Sequence, residues 1–143
     1  MHTLGRHVLL ELNGCNPKLL NDLKRVEEIL VAGARIAKAT IVGTHFHQFS
    51  PFGISGLVII AESHVSIHTW PEHNYAAVDI FTCGETIAPE VAVQYFVDKF
   101  QARHPTIFEL KRGIIQDPKP AKIGKPAKEV FPYGRPQELQ VVS

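Results

Sequence analysis

The sequence predicts an α/β (α+β) two-layer sandwich in which two helices cover one face of a six-stranded, mainly antiparallel sheet. Apolar stretches with strand-like and helical spacing follow one another in the order β-α-β-β-β-β-α-β. Two helices can cover only one face of six strands, yet the stretch 57–61 lacks the polar alternation of a strand open to water. A facing second copy of the chain is the simplest cover. We therefore predict a homodimer joined by the helix-free faces, with Ser66, His68 and Trp70 near the seam.

The first third of the chain predicts a strand followed by a long helix. Residues 5–12 form a mostly apolar strand that ends at the turn signal Asn13-Gly14. Asn16 and Pro17 have the character of a helix N-cap and a first helical residue. One amphipathic helix is expected over residues 17–38, and its apolar positions are Leu19, Leu20, Leu23, Val26, Leu30 and Ala34.

The remaining elements are four strands, a helix and a last strand. Strands are predicted over residues 40–49, 56–62, 64–70 and 76–83, a helix from 86–89 to about 103, and a strand over 106–111. In the fourth strand alternation places His64, Ser66, His68 and Trp70 on one face and Val65, Ile67 and Thr69 on the other.

Composition sets broad limits on the class of protein. The length fits one domain, predicted over residues 1–115, and a change to proline- and lysine-rich sequence predicts a mobile tail over 116–143. The net charge of +1 gives no electrostatic argument for nucleic-acid or membrane binding. No apolar run reaches the ~20 residues of a membrane span. Two cysteines and no secretory signal favour a reduced cytoplasmic protein with free thiols.

Residues 61–72 hold an unusual concentration of groups that can transfer protons. If the Ser63 hydroxyl attacks the carbonyl carbon of Glu62, the peptide bond becomes an ester. This acyl shift needs a strained turn, a donor for the oxyanion and a base, and Ser55 and His68 are candidate helpers. If His68 then removed the α-proton of Ser63, elimination would yield pieces 1–62 and 63–143, the second beginning with a pyruvoyl group. Because Glu-Ser dipeptides are common and mostly inert, the residues alone leave this as one possibility.

Longer motifs give the chain a specific resemblance. These are Gly53-Ile54-Ser55-Gly56, Glu62-Ser63-His64, Ile67-His68-Thr69-Trp70-Pro71-Glu72 and Asp79-Ile80-Phe81-Thr82-Cys83-Gly84, with Leu4-Gly5-Arg6-His7 at the start. In this order, over about residues 4–113, the sequence resembles the prokaryotic S-adenosylmethionine decarboxylase proenzymes. The resemblance implies an α/β sandwich, active sites at a dimer seam, and cleavage between Glu62 and Ser63.

The resemblance also implies a role for each matching residue. Ser63 becomes the pyruvoyl cofactor, which forms a Schiff base with the amine of S-adenosylmethionine. His68 is the processing base, Ser55 a processing helper, and Cys83 the acid that protonates the α-carbon after carbon dioxide leaves. The implied product, decarboxylated S-adenosylmethionine, is the aminopropyl donor for spermidine biosynthesis.

Three further residues are candidates for substrate binding. The Glu72 carboxylate could accept two hydrogen bonds from ribose hydroxyls. Phe49 and Trp70 could stack on adenine or meet the sulfonium charge, although core or dimer packing explains them equally well.

Other functions remain as alternatives. His45 and His47 lie roughly 7 Å apart on one strand face, but His64 and His68 are roughly 13 Å apart, and no further ligands complete a metal site. We therefore expect no metal, and a metal hydrolase is a weak rival. A pyruvoyl-dependent arginine decarboxylase on the same scaffold, or an uncleaved dimeric binding module without activity, would also fit the fold.

Overall fold

The structure, a computed structural model, describes residues 3–116 and 119. The strands are β1 (Thr3–Asn13), β2 (Ile41–Gln48), β3 (Ile54–Ile60), β4 (Ser63–Trp70), β5 (Tyr75–Cys83) and β6 (His104–Ile114). The helices are α1 (Pro17–Leu20), α2 (Leu23–Ile36) and α3 (Pro89–Lys99), and a short 3-10 helix spans Pro71–His73. All six strands are thus where the sequence predicted them, whereas the predicted tail over 116–143 lies outside the described residues apart from 116 and 119.

The prediction of one helix over 17–38 is wrong, because the chain forms two helices that separate at Asn21 and Asp22. The Asp22 side chain accepts a hydrogen bond from the Arg25 amide at 3.1 Å, so it caps a new helix. The Asn21 side chain accepts the Gly53 amide at 3.1 Å, and its carbonyl accepts the Gln48 side chain at 2.9 Å. These bonds to the loop between β2 and β3 compete with a continuous helix, and apolar spacing carries no sign of them.

The sheet has the strand order β2-β3-β4-β5-β1-β6, and every neighbouring pair is antiparallel. Its buried side chains point toward α1, α2 and α3, which supply the rest of a single core. Gly33 of α2 allows close packing with α3, because a Cβ atom there would lie 2.2 Å from the ring of Phe96. The predicted α/β two-layer sandwich with helices on one face is confirmed.

Among the described residues, no element covers the other face of the sheet. On β3, Val58 and Ile60 are buried while Ile59 between them is 45% exposed. Phe108 and Leu110 of β6 are more than half exposed on the same open face. The helices of the described residues cover one face of the third strand, as predicted, and leave its other face open. Coverage by a second copy stays a prediction.

The connection between β3 and β4 is a tight turn through Ala61 and Glu62. The Ala61 amide donates to the Thr40 carbonyl at 2.8 Å, and the Thr40 amide donates to the Glu62 carboxylate at 3.2 Å. The turn is thus held to the chain entering β2, and Ser63 follows it as the first residue of β4.

Candidate active site

Ser63 combines an unusual backbone with a direct contact to an imidazole. Its φ angle of +144° lies in a region that L-residues other than glycine rarely adopt. Its Oγ lies 3.1 Å from Nδ1 of His64. In a regular strand, consecutive side chains point to opposite faces. The unusual φ of Ser63 therefore accompanies a contact between neighbours that a regular strand would separate.

The peptide bond before Ser63 has its carbonyl oxygen hydrogen-bonded. The Cys83 amide donates to the Glu62 carbonyl oxygen at 2.8 Å, because β5 ends beside the start of β4 with Ser63 opposite Thr82. An N–H group at this distance stabilises negative charge that develops on such an oxygen. The Cys83 thiol is free, and Cys83 is exposed at an open cavity of about 470 Å³ that Arg6 and Lys111 also line.

A second group of predicted residues lies near the opposite end of β4. Ser55 Oγ and His68 Nδ1 are 2.6 Å apart, which follows from the direct pairing of these residues across β3 and β4. Aromatic rings surround His68, with the Phe49 ring at 5.6 Å and the Trp70 ring at 4.2 Å between centroids. Tyr75 stacks on Trp70 at 5.2 Å.

The protomer therefore contains two half-sites. Ser63, Glu62 and Cys83 form one; the other contains Ser55, Phe49, His68 and Trp70, with Glu72 exposed in the 3-10 helix directly after Trp70. His68 lies five positions after Ser63 along β4, which is roughly 16 Å at the rise of an extended strand. One protomer does not bring His68 to the reacting atoms of Ser63.

A polar network occupies the open face beside Ser63. Asp79 accepts the Ser66 hydroxyl at 3.3 Å and contacts Nε2 of His7 at 3.1 Å, while Arg112 lies 3.3 Å from Nδ1 of His7. Arginine can only donate, so Nδ1 of His7 accepts and its Nε2–H donates to Asp79. Burial lowers the pKa of His64. The nearby His7 and Arg112 lower this pKa further, whereas Asp79 raises it.

Most of the sequence matches one family of known proteins. The family model described as S-adenosylmethionine decarboxylase matches residues 6–113, which is most of the chain. The chain belongs to the S-adenosylmethionine decarboxylase family. The resemblance seen in the motifs, and the prediction of an enzyme of this family, are thereby confirmed.

Individual members of the family agree over most of their lengths. The chain is 59% identical over 115 residues to the S-adenosylmethionine decarboxylase proenzyme of Thermodesulfovibrio yellowstonii, covering 80% of this chain and 85% of that protein. It is 45% identical over 117 residues to the proenzyme of Pyrococcus abyssi, covering 82% and 84%. The crystal structure of the adenosylmethionine decarboxylase from Aquifex aeolicus superposes with a TM-score of 0.76 at 32% identity, covering 85% of this chain and all of that one.

Sequence reasoning missed two partners of the bond between Glu62 and Ser63 in this decarboxylase-family chain. The amide of Cys83 could have been found only from the register between β4 and β5, which alternation does not fix. The contact of His64 with Ser63 was missed because neighbours in a strand are expected on opposite faces.

Two classes of feature are lacking in the part of this family member that the structure describes. No helix among residues 3–116 is long and apolar enough to cross a membrane. Within the same described residues, no three histidine, cysteine, aspartate or glutamate side chains cluster as a metal site would require.

Proposed function

We propose that the chain is a self-processing, pyruvoyl-dependent enzyme that converts S-adenosylmethionine into decarboxylated S-adenosylmethionine and carbon dioxide. The observation that carries the proposal is the geometry around the bond from Glu62 to Ser63. The bond follows a tight turn, Ser63 has a φ of +144°, and the Cys83 amide lies 2.8 Å from the Glu62 carbonyl oxygen. A strained residue and an oxyanion donor are two of the three requirements of an acyl shift.

The same geometry fits the cofactor that this family name implies. Ser63 begins a strand, and its hydroxyl is within reach of a base, so the residue can be converted without dismantling β4. A pyruvoyl group made from Ser63 would supply a ketone that acts as an electron sink for decarboxylation of an amine substrate. Cys83 borders the cavity at this end, and we assign its thiol the role of giving a proton to the substrate carbon.

The distance between the two half-sites supports a homodimer as the active unit. If the helix-free faces of two copies packed on each other about a two-fold axis near Ser66, the two β4 strands would lie face to face and run in opposite directions. The His68 end of one copy would then face the Ser63 end of the other, and two equivalent sites would form. The exposed Ile59, Phe108 and Leu110 would be buried by the same contact.

In this arrangement the second half-site completes the first. The imidazole of His68, held by Ser55 at 2.6 Å, would take the α-proton of Ser63 after the acyl shift. Phe49 and Trp70 offer ring faces for adenine or the sulfonium group, and the exposed Glu72 carboxylate is free to accept ribose hydroxyls. The product would serve spermidine biosynthesis in the cytoplasm, where the free thiols of Cys15 and Cys83 stay reduced.

Intact mass under denaturing conditions tests the processing step. The expected result is two fragments, 1–62 and 63–143, whose summed mass exceeds that of the precursor by one water minus one ammonia. A gain of a whole water would indicate ordinary proteolysis and refute the pyruvoyl group. Ser63→Ala should remain a single chain.

Carbon dioxide release then tests the substrate. Processed protein is expected to release it from S-adenosylmethionine and not from arginine, and the Ser63→Ala chain from neither. Release from arginine alone would replace the proposed substrate. Full activity of Ser63→Ala would refute the mechanism and leave only the family membership.

A further inference from the structure

We propose that His64 is a catalytic residue of self-cleavage, the base that takes the Ser63 hydroxyl proton as this oxygen attacks the Glu62 carbonyl. The inference rests on the proposed self-processing function. It identifies the side chain of the same protomer that would begin the cleavage. Two different histidines would thus move the two protons. His64 of the same protomer serves the acyl shift, whereas His68, which lies roughly 16 Å from Ser63 along β4, serves the later elimination from the second copy.

Contact is the first argument for His64. Its Nδ1 lies 3.1 Å from Ser63 Oγ, within the distance over which a general base accepts a proton. No other ionisable side chain among the described residues has a hydrogen bond to that hydroxyl. His68 is bonded instead to Ser55, on the strand at the far side of β4 from β5.

The orientation of the imidazole is the second argument. Phe81, directly opposite His64 on β5, meets its ring edge-on with centroids 5.7 Å apart. Arg112 of β6 covers the same phenyl ring at 4.6 Å, and His7 of β1 packs against it at 5.4 Å. The ring of His64 is thus packed in place from the β5 side, which favours one direction for Nδ1.

The charges around His64 suit a neutral imidazole. Arg112 and His7 act from β6 and β1, Asp79 from β5, and β3 contributes the apolar Ile59 directly opposite. Burial is the largest influence and lowers the pKa of His64, with His7 and Arg112 adding to it and Asp79 opposing. A neutral ring can accept a proton on Nδ1 only if its own hydrogen is on Nε2, and that tautomer is the one that lets Ser63 donate.

The proposed step balances without any other reactant. Ser63 Oγ gives its proton to His64 Nδ1 and forms a bond to the Glu62 carbonyl carbon, whose oxygen takes the negative charge beside the Cys83 amide. The carbon–nitrogen bond then breaks with its electron pair going to the Ser63 nitrogen. His64 returns the proton to this nitrogen, so an ester and a free amine replace the peptide bond.

The test follows full-length chains during cell-free synthesis, with precursor and fragments separated under denaturing conditions. His64→Asn keeps a hydrogen-bond acceptor near the position of Nδ1 but is not a base. It is expected to process at least about 100-fold more slowly than wild type, the usual contribution of a general base. His104→Ala is the matched control, because His104 is exposed at the start of β6 and should process at the wild-type rate.

Hydroxylamine at neutral pH identifies the step that is slowed, because it cleaves esters and leaves ordinary peptide bonds intact. His68→Ala should accumulate a chain that hydroxylamine cuts at Glu62, whereas His64→Asn should accumulate one that it does not cut. Added imidazole should speed processing of His64→Ala and leave His104→Ala unchanged. Circular dichroism and gel filtration against Ser63→Ala establish that the variants are folded, and His64→Gln replaces any variant that is not.

The results distinguish a failure of the role of His64 from a failure of self-processing itself. Processing of a folded His64→Asn chain within about threefold of wild type would overturn the role of His64, as would accumulation of a hydroxylamine-sensitive ester in that variant. If wild type and His104→Ala both remain uncleaved, the proposed self-processing function itself fails.

Discussion

Replacing Thr69 with valine should destabilise the protein strongly, although the two side chains have nearly the same shape. Thr69 is completely buried on the helix side of β4. Its hydroxyl donates to the Leu20 carbonyl at 2.7 Å and accepts the Ile54 amide at 3.0 Å. One oxygen thus joins the end of α1, the sheet and the start of β3, which also carries Ser55.

The expected magnitude follows from the two bonds. Valine would deprive two buried backbone groups of this partner, and each buried group left without a hydrogen bond costs about 1–3 kcal/mol. The free energy of unfolding of Thr69→Val should therefore fall by roughly 2–6 kcal/mol. Thr69→Ser keeps the hydroxyl and removes one methyl group, so its loss should be nearer about 1 kcal/mol.

Urea denaturation followed by circular dichroism measures the difference. All variants should carry Ser63→Ala, so that a single uncut chain unfolds, and should be compared at one protein concentration because a dimer's stability depends on it. A Thr69→Val chain that loses less than Thr69→Ser, or under about 0.5 kcal/mol, would refute the assignment of these bonds as stabilising.

Two other predictions concern the core and the thiols. Gly33→Ala should lower the free energy of unfolding by about 1–3 kcal/mol despite alanine's better helix propensity, because the new methyl group would meet the Phe96 ring. Combining it with Phe96→Leu should recover part of the loss. Equal stability of Gly33→Ala and wild type in thermal unfolding would contradict this packing of α2 against α3. Iodoacetamide near neutral pH should label Cys83 well before Cys15, since burial raises the pKa of the Cys15 thiol to about 11. Peptide mapping measures the order of labelling. If Cys15 were labelled first, its thiol would be accessible and the prediction would be wrong.

The architecture was predictable because periodicity is strong in this sequence. Each predicted strand is present, and on β4 the buried Val65, Ile67 and Thr69 alternate with His64, Ser66, His68 and Trp70 as expected. The break in the first helix was not predictable, since Asn21 is drawn out of helical geometry by a loop about thirty residues later in the chain. Periodicity describes one element at a time and contains no information on such distant hydrogen bonds.

The candidate site, like the fold, was predictable from the sequence only in part. Motifs identified Ser55, Ser63, His68 and Cys83 together, and the predicted fourth strand already separated Ser63 from His68. The strand register adds that Ser55 lies opposite His68 and that Thr82 lies opposite Ser63. Five residue steps along an extended strand span roughly 16 Å. A second copy of the chain, packed on the open sheet face, would therefore be needed to bring a His68 side chain to Ser63.

The strand order determines how the two fragments of the proposed cleavage would be held together. A cut between Glu62 and Ser63 would leave β1, β2 and β3 in one fragment and β4, β5 and β6 in the other. Because β1 lies between β5 and β6, and β3 pairs with β4, the fragments would be interleaved at three strand boundaries. They would stay together in native conditions, yet once unfolded they would have to find each other by diffusion. Each protomer would thus fold as a single chain only before the cut, and refolding of the cleaved protomer would depend on concentration, so the fold would have to be complete before the proposed cleavage began.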